Sequence, residues 1–169
     1  MSTEFQNQVT ALAYAYINAN VIEQGITSSE TWVDMKLSES VGESDITKNV
    51  RIGSIGTDLY TGKFETTTVG IYFFQLGFSF MGSASSNYKI RALLNDNPIT
   101  QSIKQFTTRG TNVMWEVGMT FIVECGYLPN ATNTGLYSSK NEIQLQCQNV
   151  GGTGDLKIQN GLYNVMKID

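Results

Sequence analysis

The side chains that most often carry enzyme chemistry are missing from this sequence or stand where they can do little. The 169 residues include no histidine, which excludes Ser-His-Asp and Cys-His catalysis and histidine-ligated zinc. The sequence also lacks a nucleophile elbow, a phosphate-binding loop, a dinucleotide fingerprint and a Cys-x-x-Cys pair. A glycosidase without histidine needs two close carboxylates, but most acidic residues here fall in predicted turns or on predicted solvent faces. We therefore expect a protein that is not an enzyme and has no catalytic or cofactor-binding residues.

The predicted loops contain residues that are compatible with binding phosphate, calcium or a sugar. Residues 151–154 are rich in glycine, but they join two strands and open no helix, so a hairpin loop is favoured over a phosphate cradle. Oxygen atoms near Asp96 or Asp155 are able to bind calcium, although the sequence around Asp96 is far more typical of a turn. Tyr127 and Tyr137 are able to stack on sugar rings, and packing against a sheet edge is the simpler alternative. The sequence predicts no metal site and no cofactor.

The charge, the N-terminal sequence and the cysteines limit the kinds of partner and the cellular compartment that we expect. With 11 Lys+Arg against 15 Asp+Glu, the net charge of −4 does not suit a protein bound to nucleic acid. The N-terminus lacks the basic and apolar regions of a secretory signal, and no stretch approaches the roughly 20 apolar residues of a membrane span. Cys125 and Cys147 have apolar neighbours, which favours two buried thiols over a disulfide. We expect synthesis in a cytoplasm, with no nucleic-acid and no membrane partner.

The overall composition indicates which elements position these residues. Charged residues are only 15% of the chain, whereas uncharged polar residues are abundant, with 18 Thr, 14 Ser, 14 Asn and 10 Gln. This composition, rich in threonine and aromatic residues, is typical of an all-β domain with many turns. From residue 31 onward the hydrophobic pattern has a period of two, and it predicts eight to ten short strands. The predicted fold is a two-sheet antiparallel sandwich of jelly-roll type.

Two of the predicted strands are apolar on both faces. Between residues 70 and 80 the even positions are all apolar, and the odd positions Ile71 and Phe73 are apolar as well. In the last strand Leu162, Met166 and Ile168 alternate with Tyr163 and Val165. One face of such a strand packs in the core, and the other needs a cover such as a second subunit. We predict that subunits meet through four residues: Ile71, Phe73, Tyr163 and Val165.

The N-terminal region has a different pattern. Four large apolar residues recur at spacings of four, three and four: Phe5, Val9, Leu12 and Tyr16. This spacing and the alanines between them favour a helix, although residues 11–21 also alternate well enough for a first strand. We predict an arm over residues 1–29, which either packs on its own domain or stays flexible, or forms a short helix that bundles with its copies or attaches to a larger body. The jelly-roll domain then covers residues 30–169.

Two short motifs carry a resemblance to a known family. They are Tyr60-Thr61-Gly62-Lys63-Phe64 and Gly70-Ile71-Tyr72-Phe73-Phe74. Together they resemble the Tyr-x-x-x-x-Gly-x-Phe and Gly-x-Tyr-x-Phe signature of the globular head of complement component one-q and its tumour-necrosis-factor-like relatives. Residues 140–145 and 161–165 are similar to two later strands of that family. The resemblance implies a jelly-roll head that forms a homotrimer through its inner sheet, as a structural and binding module rather than an enzyme.

These observations lead to a hypothesis about function. A trimeric jelly roll without an export signal, with a polar surface of low charge and an N-terminal attachment arm, suits a structural protein of a virus particle. We expect a capsid decoration, head-fibre or spike-knob protein of a bacteriophage, located in the virion with other capsid proteins as partners. The alternative is a receptor- or carbohydrate-binding head of a tail fibre or surface filament, whose partner is a host surface glycan. A bacterial spore or surface-filament protein is a third hypothesis.

Overall fold

The computed structural model describes residues 9–38, 46–52, 55–111, 113–129 and 137–168. The strands in these residues are β1 (Val9–Glu23), β2 (Val33–Asp34), β3 (Ile46–Ile52), β4 (Ile55–Asp58), β5 (Lys63–Thr66), β6 (Gly70–Gly82), β7 (Asn87–Leu94), β8 (Asn97–Pro98), β9 (Lys104–Thr107), β10 (Trp115–Cys125), β11 (Leu128–Pro129), β12 (Tyr137–Ser138), β13 (Asn141–Val150) and β14 (Leu156–Ile168). A short 3₁₀ turn, Thr100–Ser102, follows β8, and this part of the chain contains no α-helix. None of the described segments is a helix that could cross a membrane.

The strands form two main antiparallel sheets, and β11 and β12 pair only with each other. The first sheet has the order β10-β6-β14-β1-β3, and the second has the order β4-β5-β13-β7-β8, with β2 added on β13 and β9 on β7. Strands distant in sequence are neighbours in both sheets, as in a jelly roll. The predicted turn between β7 and β8 is present, and its residues Asn95 and Asp96 have φ angles of 49° and 65°. Asn and Asp tolerate this left-handed backbone, which a two-residue hairpin turn requires.

The core lies between the two sheets. The five even positions of β6 that carry large apolar side chains face inward and are buried, as predicted: Tyr72, Phe74, Leu76, Phe78 and Phe80. Aromatic rings make the central contacts, with Phe74 stacked on Phe121 at 4.9 Å and Phe64 meeting Tyr163 edge-on at 5.2 Å between ring centres. Such ring pairs add to the free energy gained from burying their area. Cys125 and Cys147 are free thiols buried in this core, as the apolar sequence around them predicts.

The structure corrects the prediction for the N-terminal region. Residues 9–23 form β1, which pairs with β14 from Val9 opposite Ile168 to Glu23 opposite Lys157, and also pairs with β3. The helical interpretation is therefore wrong for these residues, and the alternative of a first strand is right. The predicted boundary at residue 29 does not separate an arm from the domain here, because β1 is an interior strand of the first sheet.

The reason for this difference lies in the small residues of β1. Ala13 and Ala15 point into the core, and Ala15 lies opposite the large Tyr163. Alanine favours a helix in an isolated segment, but here its small side chain leaves room for the aromatic residues of the facing sheet. Pairing with two strands and burial in the core outweigh that local preference. The alternation of these alanines with larger outward residues is the pattern of a strand.

Two polar side chains hold the chain where β1 ends. The Gln24 amide group donates hydrogen bonds to the carbonyls of Ile22 and Lys36, and its oxygen accepts one from the Lys36 N–H at 2.8 Å. The Asp155 carboxylate accepts hydrogen bonds from the N–H groups of Gly25 and Ile26 at 3.1 and 2.9 Å. These bonds fix the connection between β1 and the rest of the sandwich.

Candidate interaction surface

Several of the described acidic residues have structural partners within the chain. Three surface ion pairs join Lys63 to Glu142, Lys140 to Glu65 and Lys157 to Glu23, with N–O distances of 2.7 to 2.8 Å. The hydrogen bond from Lys157 lowers the pKa of the Glu23 carboxyl. Within the described ranges, no three Cys, Asp or Glu side chains lie close enough together to hold a metal ion. The apolar and neutral side chains at the surface are therefore the candidates for contact with a partner.

The outward side of the first sheet, here called the outer face, carries an unbroken row of apolar side chains. Ile122 lies opposite Phe73, Phe73 opposite Met166, and Met166 opposite Leu12. The row crosses β10, β6, β14 and β1 in register, and Ile122 is 57% exposed. Ile71, on the same side of β6, extends the exposed apolar area. We call the four residues in register the apolar row.

The next row along the strands is polar but carries no charge. Its members are register partners in the same four strands: Thr120, Gln75, Asn164 and Tyr14. The side-chain oxygen Oδ1 of Asn164 is buried in this row and accepts no hydrogen bond from the described residues. A buried acceptor without a donor costs about 1–3 kcal/mol.

A third row forms a groove on the outer face. Its register partners are Gly118, Gly77, Leu162 and Tyr16. The two glycines leave an open groove of about 620 Å³, which is bordered by Glu116 on β10 and by Tyr16 on β1. Tyr16 is 58% exposed. We call this depression the glycine groove.

The outer face is almost free of charge. The outward positions of β6, residues 160–166 of β14 and residues 12–17 of β1 include no Lys, Arg, Asp or Glu. The described outward charges on β10 are Glu116 and Glu124, on the edge strand of the sheet. Removing such a face from water desolvates few charged groups, which is the usual property of the centre of a protein interface.

The structure places only half of the four predicted contact residues on this face. Ile71 and Phe73 point outward, as predicted. Tyr163 and Val165 are 1% and 0% exposed, so they pack in the core and the prediction for them is wrong. They lie opposite Leu76 and Phe74, two core residues of β6. Because successive side chains of a strand alternate between faces, the outward residues of β14 are their neighbours.

The error has a physical cause that the sequence partly reveals. Both faces of β14 are apolar over residues 162–166, so alternation alone does not tell which set is inside. The polar residues Asn160 and Asn164 belong to the set that contains Leu162 and Met166, and this is the signal for an outward face. The irregular register between Ile158 and Asn160 also shifts the alternation.

The four attachment residues predicted in the arm do not form one helical stripe. Phe5 lies outside the described residues, and Val9 begins β1 opposite Ile168. Leu12 and Tyr16 both point to the outer face, where they join the apolar row and the glycine groove. Sequence reasoning missed Ile122, Gly77 and Gly118 as parts of this surface. Only the register of β10 against β6 brings these three residues to it.

Two tyrosines were considered as sugar-stacking residues. Tyr127 follows β10 and is 67% exposed, so its ring is accessible to a ligand. Tyr137 begins the short strand β12, opposite Pro129. The prediction that they bind a glycan stays a prediction.

Comparison with known proteins gives a likeness in structure but not in sequence. No protein-family model and no curated protein sequence matches the chain. Among solved structures, the "PRD1 vertex protein P5" matches with a TM-score of 0.56 and 9% identity, over 96% of this chain and 99% of that chain. A crystal structure of murine APRIL at pH 8.0 matches with a TM-score of 0.47 and 8% identity, over 93% and 98% of the two chains. The likeness to the vertex protein confirms the predicted antiparallel jelly-roll fold.

Proposed function

We propose that this chain is a non-enzymatic structural protein of a virus particle and that it assembles as a homotrimer through the outer face of its first sheet. The observation that carries the proposal is the apolar row in register across four strands, at the centre of an outer face with few charges. The similarity to a phage vertex protein supports the place in a virion. We infer a trimeric capsid decoration, head-fibre or spike-knob protein of a bacteriophage.

The proposed contact is stabilised by burial of apolar area. Phe73, Met166 and Leu12 lie side by side, and Ile122 extends their row to the edge strand β10. Each large side chain that becomes fully buried contributes about 1.5–3 kcal/mol, against which the loss of translational and rotational freedom must be set.

The ends of the chain suggest how the trimer is oriented on a particle. Val9 and Ile168 are register partners, so the chain enters and leaves the sandwich at one end. We infer that this end faces the particle and that the segment before Val9, which includes Phe5, makes the attachment. The connection between β13 and β14, residues 151–155, lies at the opposite end and points away from the particle.

A substitution on the apolar row tests the proposed trimer. In solution the wild-type protein is expected to have three times the chain mass of 18.7 kDa. Ile122→Glu is expected to weaken association about a hundredfold or more, because an unpaired buried carboxylate costs about 3 kcal/mol or more. Light scattering and sedimentation over a dilution series measure both.

The matched control is Ile103→Glu, which adds the same charge at an isoleucine that is 42% exposed outside the first sheet. It is expected to remain trimeric. A wild-type monomer at every concentration, or an Ile122→Glu variant that associates like the wild type, would contradict the proposal.

The second candidate function is a receptor- or carbohydrate-binding head, and the exposed ring of Tyr127 is the observation that favours it. Retention of the protein on purified capsids supports the first function. A reproducible glycan-array signal that Tyr127→Ala abolishes supports the second.

A further inference from the structure

The two glycines of the glycine groove are not required by the chain that contains them. Gly77 and Gly118 lie opposite each other in the middle of the β6–β10 pair, and neither has a left-handed backbone. A Cβ atom added at Gly118 would meet only the Leu76 carbonyl oxygen, at 3.9 Å. One added at Gly77 would touch the Leu162 side chain at 3.5 Å, an ordinary contact. Any small side chain would therefore fit at both positions.

Glycine inside a strand has a cost for the folded chain. It lowers strand stability because it has more freedom when unfolded and offers no side chain for packing. Such a glycine often marks a place where another molecule or backbone approaches closely. Two glycines that face each other at the floor of an open groove therefore indicate a space into which another molecule fits.

Resting on the proposed homotrimer, we propose that the glycine groove receives Tyr16 of a neighbouring copy, so that each subunit both inserts a tyrosine and accepts one. Tyr16 stands at one end of the third row, on β1, and the two glycines stand at the other end, on β6 and β10. A closed ring needs two different, complementary patches on each subunit, and this row carries both.

The position of the two patches in one row is what makes them meet. In the proposed homotrimer the threefold axis runs along the strands of the outer face, and rotation about this axis leaves the height of every residue along it unchanged. Residues of one row therefore face residues of the same row in the next copy. Tyr16 of one copy therefore lies at the same height as Gly77 and Gly118 of the next copy. The apolar rows of the two copies lie at the same height as well.

The lining of the groove suits a tyrosine. Leu162 offers an apolar wall for the ring, whereas Glu116 and Asn160 at its border offer oxygen atoms to the phenol O–H. A buried tyrosine usually finds such a hydrogen-bond partner.

The first test fills the glycine groove with a larger side chain at Gly118 of the same chain. Gly118→Val is expected to leave the single chain folded, since valine favours strands and the added Cβ has room. It is expected to raise the concentration at which trimers dissociate by about tenfold or more, as loss of a central interface contact does. Tyr16→Ala is expected to have a similar effect. Sedimentation across a dilution series gives these concentrations, and circular dichroism reports the fold.

The control is Gly56→Val, which makes the same change in β4 of the second sheet, where a Cβ atom also has ordinary contacts. It is expected to dissociate like the wild type. The double variant Tyr16→Ala with Gly118→Val is expected to be no weaker than either single variant, because both remove one contact. Fully additive effects, or wild-type association in both single variants, would overturn the inference.

Where a variant folds poorly, a cross-linking measurement tests whether Tyr16 of one copy lies in the glycine groove of another copy. Three strand intervals separate Gly118 from Tyr16 within one chain, about 14 Å, so a shorter bismaleimide joins cysteines at these positions only between chains. Tyr16→Cys with Gly118→Cys is expected to give covalent trimers. Trimers without cross-links would refute the glycine groove alone, whereas a monomeric wild type would refute the proposed homotrimer itself.

Discussion

Cys125 and Cys147 are both buried thiols in the core, and neither reaches the surface at which partners are proposed to bind. Burial raises the pKa of each thiol above its ordinary value. The thiolate is the reactive form of cysteine, so a raised pKa together with burial makes a cysteine inert.

At the residue scale this predicts slow alkylation of the folded protein. At about pH 8 we expect a thiol reagent to modify both cysteines at least about tenfold more slowly than in urea, because the thiolate fraction falls as the pKa rises. The rate should increase only as the pH approaches the raised pKa values. Mass spectrometry counts the adducts over time. Rapid modification of either cysteine in the folded protein would show that it is not buried as described.

At the scale of elements, β1 is the strand on which the first sheet depends. It lies between β14 and β3, and its residues Ala13, Ala15 and Ile17 close the core from one side. Without β1, the backbone donors and acceptors of β14 that pair with it would lose their partners, and Tyr163 would be exposed to water. A strand in this position is part of the folding unit.

Deletion of residues 1–23 is therefore expected to prevent folding, whereas an arm outside the domain would be dispensable. The deleted protein should lack a cooperative unfolding transition in urea and should be digested rapidly by protease. A stable, protease-resistant domain from residues 24–169 would mean that β1 is not needed for the sandwich.

The same elements show what sequence patterns can and cannot predict. In β6 the even positions are apolar throughout, whereas the odd positions become Gln75, Gly77 and Ser79 after Phe73, so the pattern predicts the inward face correctly. In β14 both faces are apolar, so the choice between Tyr163 and Leu162 depends on pairing with β6. In β1 the helix preference of alanine competes with alternation, and contacts with the facing sheet decide between them. The glycine groove needs the register of β10 against β6, which no local pattern contains.

At the scale of the whole molecule, the sandwich has two different ends. The pairing of Val9 with Ile168 places both described ends of the chain at one of them. In the proposed trimer, three copies of the segment before Val9 would start from the same side and act together on a particle. Three weak contacts made at once hold far more tightly than one.

Deletion of residues 1–8 is expected to separate attachment from assembly. Because β1 begins at Val9, the shortened protein should still have the mass of a trimer of its own chain and the thermal stability of the full-length protein. It should no longer be retained on purified capsids, as measured by co-sedimentation with the full-length protein as control. Retention equal to that of the full-length protein would place the attachment surface elsewhere.

The scarcity of charge at the centre of the outer face bears on the range of surroundings in which the proposed trimer would persist. Dissolved ions act on an ionic contact by screening its charges, with a range of about 8 Å at physiological ionic strength. A contact made by Phe73, Met166 and Leu12 would offer ions little to screen, and only charges at its border, such as Glu116, would respond. A particle built with such a contact is expected to hold its subunits together in the interior of a cell, in fresh water and in brine.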